Sequence, residues 1–179
     1  MDSDTIENCL RHLSRRSKKR TRVFVIAADE MSLVNFKMLP CVIVQNDQPH
    51  SMDGSHWSLF WIEEPRQRKN LKSRLPTQTF FCSFGTKLSA YHPQKPKFRL
   101  KQENRLRVQN PMHATCGLHS IYVGSKLMEG RSFTSIISDY SKTNLNYNDK
   151  LVLNYFNTLC FFNPTRKRRI QICVKNGCK

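Results

Sequence analysis

The chain has 179 residues and a mass of 21.0 kDa, the size of a single domain with short extensions. A hydrophobic content of 39%, with 11 Phe, 5 Tyr and 2 Trp, supplies core material and excludes wholesale disorder. Thirty Lys and Arg against thirteen Asp and Glu leave a net charge of +17, an excess beyond what solubility needs, which disfavours a mimic of an acidic partner and points to polyanions, nucleic acid above all.

The first residues, MDSDTIENCLRHLSRR, contain no apolar signal core, and no run approaches the roughly 18 apolar residues of a membrane span. An intracellular, unsecreted protein is expected, with no membrane partner. Seven cysteines without regular spacing suit a reducing compartment rather than a disulfide scaffold. Cys160, Cys173 and Cys178 form no tight pair, so no metal site is expected.

In chain order, Ile6, Cys9, Leu10 and Leu13 lie at helical spacing over 5–13, with Ser3 or Asp4 as cap. The run SRRSKKRTR (14–22) reads equally well as a solvated helix end or as a nuclear-import or polyanion-binding segment. Short apolar strands are expected at 23–26 and 39–44, an aromatic strand at 56–62 after the turn Asp53-Gly54, and a further strand at 79–84 closed by Gly85. Three consecutive strands with polar or basic turns suggest a small, largely antiparallel sheet. Residues 90–107 read as a basic loop holding a short strand near Phe98–Leu100. From Cys116 onward the pattern turns helical, with helices expected over 118–127, over 132–140 and, capped by Asn148, over 148–159. The unit thus divides into a basic N-terminal helix or extension (1–22), a single domain (23–160) and a basic tail (161–179).

Thiol catalysis needs a thiolate, a nearby imidazole and donors for an oxyanion. Cys116 opens a helix, where orphan N–H groups and the helix dipole favour a thiolate. His56 begins a strand, a rigid element from which a ring can project into a cleft. Gln109 precedes Cys116 by seven residues, with Asn110-Pro111 turning the chain between them. By residue type alone, His50, His92, His113 and His119 are alternative imidazoles.

The motifs GSHWSLFW (54–61) and VQNPMHATCGL (108–118) resemble the His-Trp and Gln-to-Cys-Gly motifs of the adenovirus protease (adenain) family, most closely its relatives in Polinton/Maverick elements and adintoviruses. The order His, Gln, Cys is similar to that of the SUMO-deconjugating proteases too, and the reverse of the papain layout. VFVIAADE…LPCVIVQND (23–47), FFCSFG (80–85) and the segment 130–156 extend the resemblance over roughly 23–160. It implies an α+β fold, a small mixed sheet flanked by helices with the catalytic cysteine at the N-terminus of a core helix. It implies Cys116 as nucleophile, His56 as general base and Gln109 as the oxyanion-hole residue, with Trp57 beside the histidine in a packing role. Cys82 stands where the family carries an acid. A buried thiol is ordinarily neutral and a poor acceptor from imidazole. The pattern therefore allows a Cys116–His56 dyad, a substitute carboxylate (Glu63, Glu64 or Asp53 being nearest in sequence) or a weakened enzyme.

The expected function is a cysteine endopeptidase acting on viral or element-encoded capsid and core precursors in the host nucleus or virion, as a monomer needing no cofactor. The resemblance adds DNA and a short basic peptide as possible activators, and TRKRRIQIC (165–173) resembles such a peptide in cis. The rival readings are a deconjugating protease for ubiquitin-like proteins and an inactive, basic nucleic-acid-binding protein that keeps the fold.

Overall fold

A computed structural model describes residues 1–17, 20–64, 75–91 and 98–160. The expectations placed on His92, on the basic runs at 66–74 and 166–169, on the sulfur positions Cys160, Cys173 and Cys178, and on the tail lie outside the described residues.

The architecture is α+β, as expected. In order come α1 (Ser3–Arg16), β1 (Arg22–Ile26), a 3-10 turn (Ala28–Leu33), β2 (Cys41–Asn46), β3 (Trp57–Glu63), β4 (Thr77–Cys82), α2 (Leu88–Tyr91), β5 (Arg99–Glu103), α3 (Cys116–Met128), α4 (Phe133–Ile137) and α5 (Leu145–Cys160). The five strands lie in the order β1-β2-β3-β4-β5. The central strands β2, β3 and β4 run antiparallel. The edge strands β1 and β5 pair in parallel, so the sheet is mixed rather than largely antiparallel. Each edge strand reaches its partner through a connection too long for a hairpin, which leaves its direction free.

Both faces of the sheet are covered, and β2 and β4 are therefore buried along nearly their whole length rather than on alternate residues. Val42, Val44, Leu59, Trp61 and Phe81 face the main core, with Ile6 and Leu10 of α1 and the apolar stripes of α3, α4 and α5. Cys41, Ile43, Phe60, Ile62, Phe80 and Cys82 face a second, smaller core closed by Val34 and Leu88. Helix α3 is the spine. It is buried nearly all round, and a Cβ added to Gly124 would stand 3.1 Å from Leu59 and 3.2 Å from Leu10, so the glycine lets α1, α3 and the sheet meet closely. No described helix is long and apolar enough to cross a membrane.

Helix ends differ from the expectation in three places. Asp2, not Ser3 or Asp4, caps α1, its carboxylate accepting from Thr5 N at 2.7 Å. Helix α5 starts at Leu145, and Asn144 rather than Asn148 accepts from a first-turn N–H, that of Tyr147 at 2.9 Å. Asn148 lies inside the helix, fully buried. Its amide donates to Val108 O (3.0 Å) and Ser141 O (2.9 Å) and accepts from Ser141 N (2.7 Å). Both are Asn residues near the start of one apolar stripe, and only the fold shows which one turns inward. The third helix is also shorter than its pattern: α4 is a single turn, capped by Ser132 and ended at Ser138.

Candidate active site

His56 stands at the mouth of β3. Asp47, just past the end of β2, holds it there. The Asp47 carboxylate accepts from the backbone N–H groups of Ser55 and His56, both at 3.0 Å, and from Ser55 Oγ at 2.5 Å, while Asp47 N donates to His56 O at 3.0 Å. Burial pushes the Asp47 carboxyl up, but these bonds outweigh it and hold it below its usual range. Sequence reasoning passed over Asp47 as part of a polar turn. The available signal was an acid at the end of one strand facing the start of the next.

The pairing of β3 with β4 sets Ser58 opposite Cys82, which brings the end of β4 beside His56. The His56 ring stacks on Phe84, with centroids 4.6 Å apart, and its Nε2 lies 3.3 Å from Cys82 Sγ. The thiol of Cys116, the first residue of α3, acts on the same imidazole. Burial by itself would lower the His56 titration. The Cys116 and Cys82 thiols outweigh it and raise the ring to about 9. Burial, which would raise the Cys116 thiol, is outweighed by His56 and by the nearby backbone of Trp57 and Gly117, and the thiol is held below its ordinary value. Trp57 plays its expected packing part against the main core and also donates from Nε1 to Met1 O at 3.1 Å.

Gln109 is 1% exposed and clamped at both ends of its amide. Oε1 accepts from Ser83 Oγ at 2.6 Å, and Nε2 donates to His113 O. A carbonyl can only accept, so this contact fixes the NH2 end, and one amide hydrogen is already directed to His113. The second is the donor an oxyanion would need. Ser83 O accepts from Val108 N (2.8 Å) and Gln109 N (3.2 Å), tying the turn after β4 to the segment before α3. Gln109→Ala is expected to lower kcat by about 10²–10³ with little change in KM, the usual cost of removing one oxyanion donor. Single-turnover and steady-state rates on one substrate check this.

The alternative imidazoles lie elsewhere. His119 is fully buried in α3, with Nε2 2.9 Å from Asp149 Oδ1 and Nδ1 3.3 Å from Tyr140 Oη. His113 Nδ1 is 2.7 Å from Asp149 Oδ2, and exposed His50 lies 3.8 Å from Glu30. The candidate substitute acids do not reach the ring. Glu63 pairs with Lys101 at 2.5 Å at the far end of β3, Glu64 follows it there, exposed, and Asp53 lies exposed in the preceding loop. The groups that raise His56 are the two thiols, not a carboxylate.

Asp149 of α5 was missed in the sequence. It gathers four donors, adding Thr115 Oγ1 (2.9 Å) and Asn110 N (3.3 Å) to the two histidines. Thr115, the N-cap of α3, thus turns its hydroxyl to Asp149 and makes no side-chain cap bond to its own helix. The N–H groups of the first turn are left facing the Cys116 end of the site.

No protein family matches the sequence, and no curated protein does. Solved structures do match. A de-sumoylating protease is similar at 16% identity, with 89% of this chain covering 74% of that one at a TM-score of 0.50. The ASFV protease is similar at 12% identity, with 85% of this chain covering 65% of that one at a TM-score of 0.52. A second structure of the ASFV protease gives 13% identity and a TM-score of 0.51. The fold is that of the SUMO-protease-like cysteine proteases. At these identities the likeness is one of fold. This chain spans just under two thirds of the length of the ASFV protease.

Proposed function

We propose that this protein is a cysteine endopeptidase, with Cys116 as nucleophile, His56 as its base and acid, and Gln109 with the backbone N–H of Cys116 as the oxyanion hole. The observation that carries the reading is the pairing of His56 with Cys116 at the N-terminus of a buried helix, where both groups shift toward the ion pair. Cys116 Sγ attacks a peptide carbonyl, and the oxyanion is met by the Gln109 amide. His56 gives its proton to the leaving amine, and water, deprotonated by His56, releases the acid from the thioester. These steps draw only on side chains and backbone amides.

The substrate class rests on the motif resemblance: capsid or core precursors of a virus or mobile element, cut in the nucleus or virion. Nucleic acid is the second proposed partner. Arg11, Arg15 and Arg22 line a cleft of about 220 Å³ between α1 and β1, on the part of the chain that reads as polyanion-binding. The likeness to a de-sumoylating protease supports a second reading, removal of a ubiquitin-like protein.

Two measurements test the reading. Iodoacetamide near neutral pH is expected to label Cys116 ahead of the other thiols, with labelling lost in His56→Ala. Equal labelling in both proteins would remove the thiol–imidazole pair. Side by side, a Gly-containing capsid-precursor peptide and a SUMO C-terminal fluorogenic probe decide between the substrate classes, the peptide being the one expected to turn over. Turnover of the SUMO probe alone would establish the second reading, and turnover of neither would overturn both.

A further inference from the structure

The end of β4 builds a site around a second sulfur. Cys82 is fully buried, and its backbone is fixed from both sides: Cys82 N donates to Asn104 Oδ1 (2.9 Å) and Cys82 O accepts from Asn104 Nδ2 (2.7 Å). The chain then turns sharply. Gly85 N donates to Cys82 O at 2.8 Å, and Gly85 takes φ +74°, where a Cβ would meet Arg105 O at 2.8 Å. His56 Nε2 lies 3.3 Å from Cys82 Sγ, and His56 and Thr86 both favour charge on this sulfur.

A neutral thiol is a weak acceptor, and burying an imidazole N–H against it forfeits that group's hydration for little return. A thiolate is a full charge that an imidazolium suits. The same sheet face supplies the comparison. Cys41 is equally buried, with no such partner among the described residues, and burial pushes its thiol up to about 12 despite nearby Arg22. Burial raises Cys82 likewise, but His56 and Thr86 outweigh it and bring the thiol down to about 7.

We propose that Cys82 is an anionic third member of the site, a thiolate that accepts from His56 Nε2 and so keeps the ring protonated and oriented toward Cys116. This rests on the peptidase reading for its purpose, though not for its geometry. The proton stays on nitrogen, and the Cys82 sulfur forms no bond to substrate. Cys82 is therefore a positioning residue, 0% exposed where Cys116 is 8% exposed. Among the other described charged or titratable groups near His56, Asp47 binds its backbone N–H, Arg107 lies over the Phe84 ring at 5.9 Å, and His119 faces Asp149.

The test reads the His56 ring directly, by NMR titration of its ring nitrogens, beside the pH profile of kcat/KM on the peptide that turns over. Cys82→Ser keeps shape and a hydrogen-bond partner but cannot ionise, and Cys82→Asp restores a charge. In wild type the ring is expected to titrate near 9. Cys82→Ser is expected to move it down by about one to three units, the effect of losing an adjacent opposite charge, with the alkaline limb of the profile moving equally and KM unchanged. Cys82→Asp is expected to hold both high. If Cys82→Ser folds and leaves the titration where it was, the proposal is overturned while the peptidase reading stands. If the titration moves as expected but wild type cleaves nothing, the coupled thiolate stands and the peptidase reading fails. Should Cys82→Asp behave like Cys82→Ser, charge is not what Cys82 supplies, and the proposal is likewise overturned.

Discussion

In Cys116→Ala, hydrolysis of the peptide that wild type cleaves is expected to fall to background, a loss of at least about 10⁴-fold, since removing the nucleophile of a coupled site costs nearly everything the site contributes beyond binding. Cys116→Ser is expected to be almost as inactive. A hydroxyl titrates far too high to form the ion pair with His56, and the backbone of Trp57 and Gly117, which favours the Cys116 thiolate, gains no charge to act on. Substrate affinity should survive in both variants, because the oxyanion donors and the surrounding surface are intact. Peptide binding, followed by fluorescence anisotropy beside the rate, separates a missing nucleophile from a collapsed site. Retained turnover in Cys116→Ala, with loss in Cys82→Ser, would transfer the nucleophile to β4. The exposure of the two sulfurs argues against that outcome, since a carbonyl cannot reach a sulfur with no accessible surface.

Asp149→Ala is expected to cost about 3–5 kcal/mol of stability, as loss of one partner from a buried charged network does, and so to lower Tm by roughly 6–20 °C in a chain of this size. Four donors lose their acceptor together: His119 Nε2, His113 Nδ1, Thr115 Oγ1 and Asn110 N. Asp149→Asn should recover only part of this, since its amide end meets donors with donors. The network also sets an acid limit. Burial raises the Asp149 carboxyl, but His119, His113 and Thr115 outweigh it and hold it low; burial holds the His119 ring below 6.5 despite its Asp149 contact. Both native values lie below the unfolded ones, so both contributions are complete above the unfolded values and are lost as pH falls. Stability should begin to decline below about 6.5 as the unfolded chain takes up a proton on His119 that the native state refuses. Denaturant midpoints at pH 7.5 and 5.5 measure this. An unchanged Tm in Asp149→Ala would remove Asp149 from its structural role.

The loop that Asp149 holds is the one that carries Gln109, and this links stability to the site. Asn110, His113 and Thr115 are its donors, and His113 O in turn takes the Gln109 amide. Asp149 lies 33 residues beyond Cys116 on a helix whose apolar stripe is legible, and a lone acid beside such a stripe reads as part of the solvent face. The inward turn became visible only when α5 was packed across the start of α3. Asp47 escaped for a related reason. It acts through bonds whose direction is set by a turn, and turn geometry is weakly written in residue type.

Much of the rest was legible. Apolar and aromatic runs marked β2 and β3, because a strand covered on both faces has little choice of residue, and helical spacing marked α1, α3 and α5. The order of His56, Gln109 and Cys116 singled out three residues, of which the fold couples His56 with Cys116 and ties Gln109 to the turn after β4. The sequence alone determined composition, burial and the order of chemical groups, since these follow from side-chain type and local period. The tertiary structure alone decided which imidazole meets Cys116, which asparagine turns inward, which way the edge strands run, and that the buried Cys82 sulfur differs from the buried Cys41 sulfur. Those outcomes depend on donors brought together from distant parts of the chain, and on an electrostatic environment that no local pattern encodes.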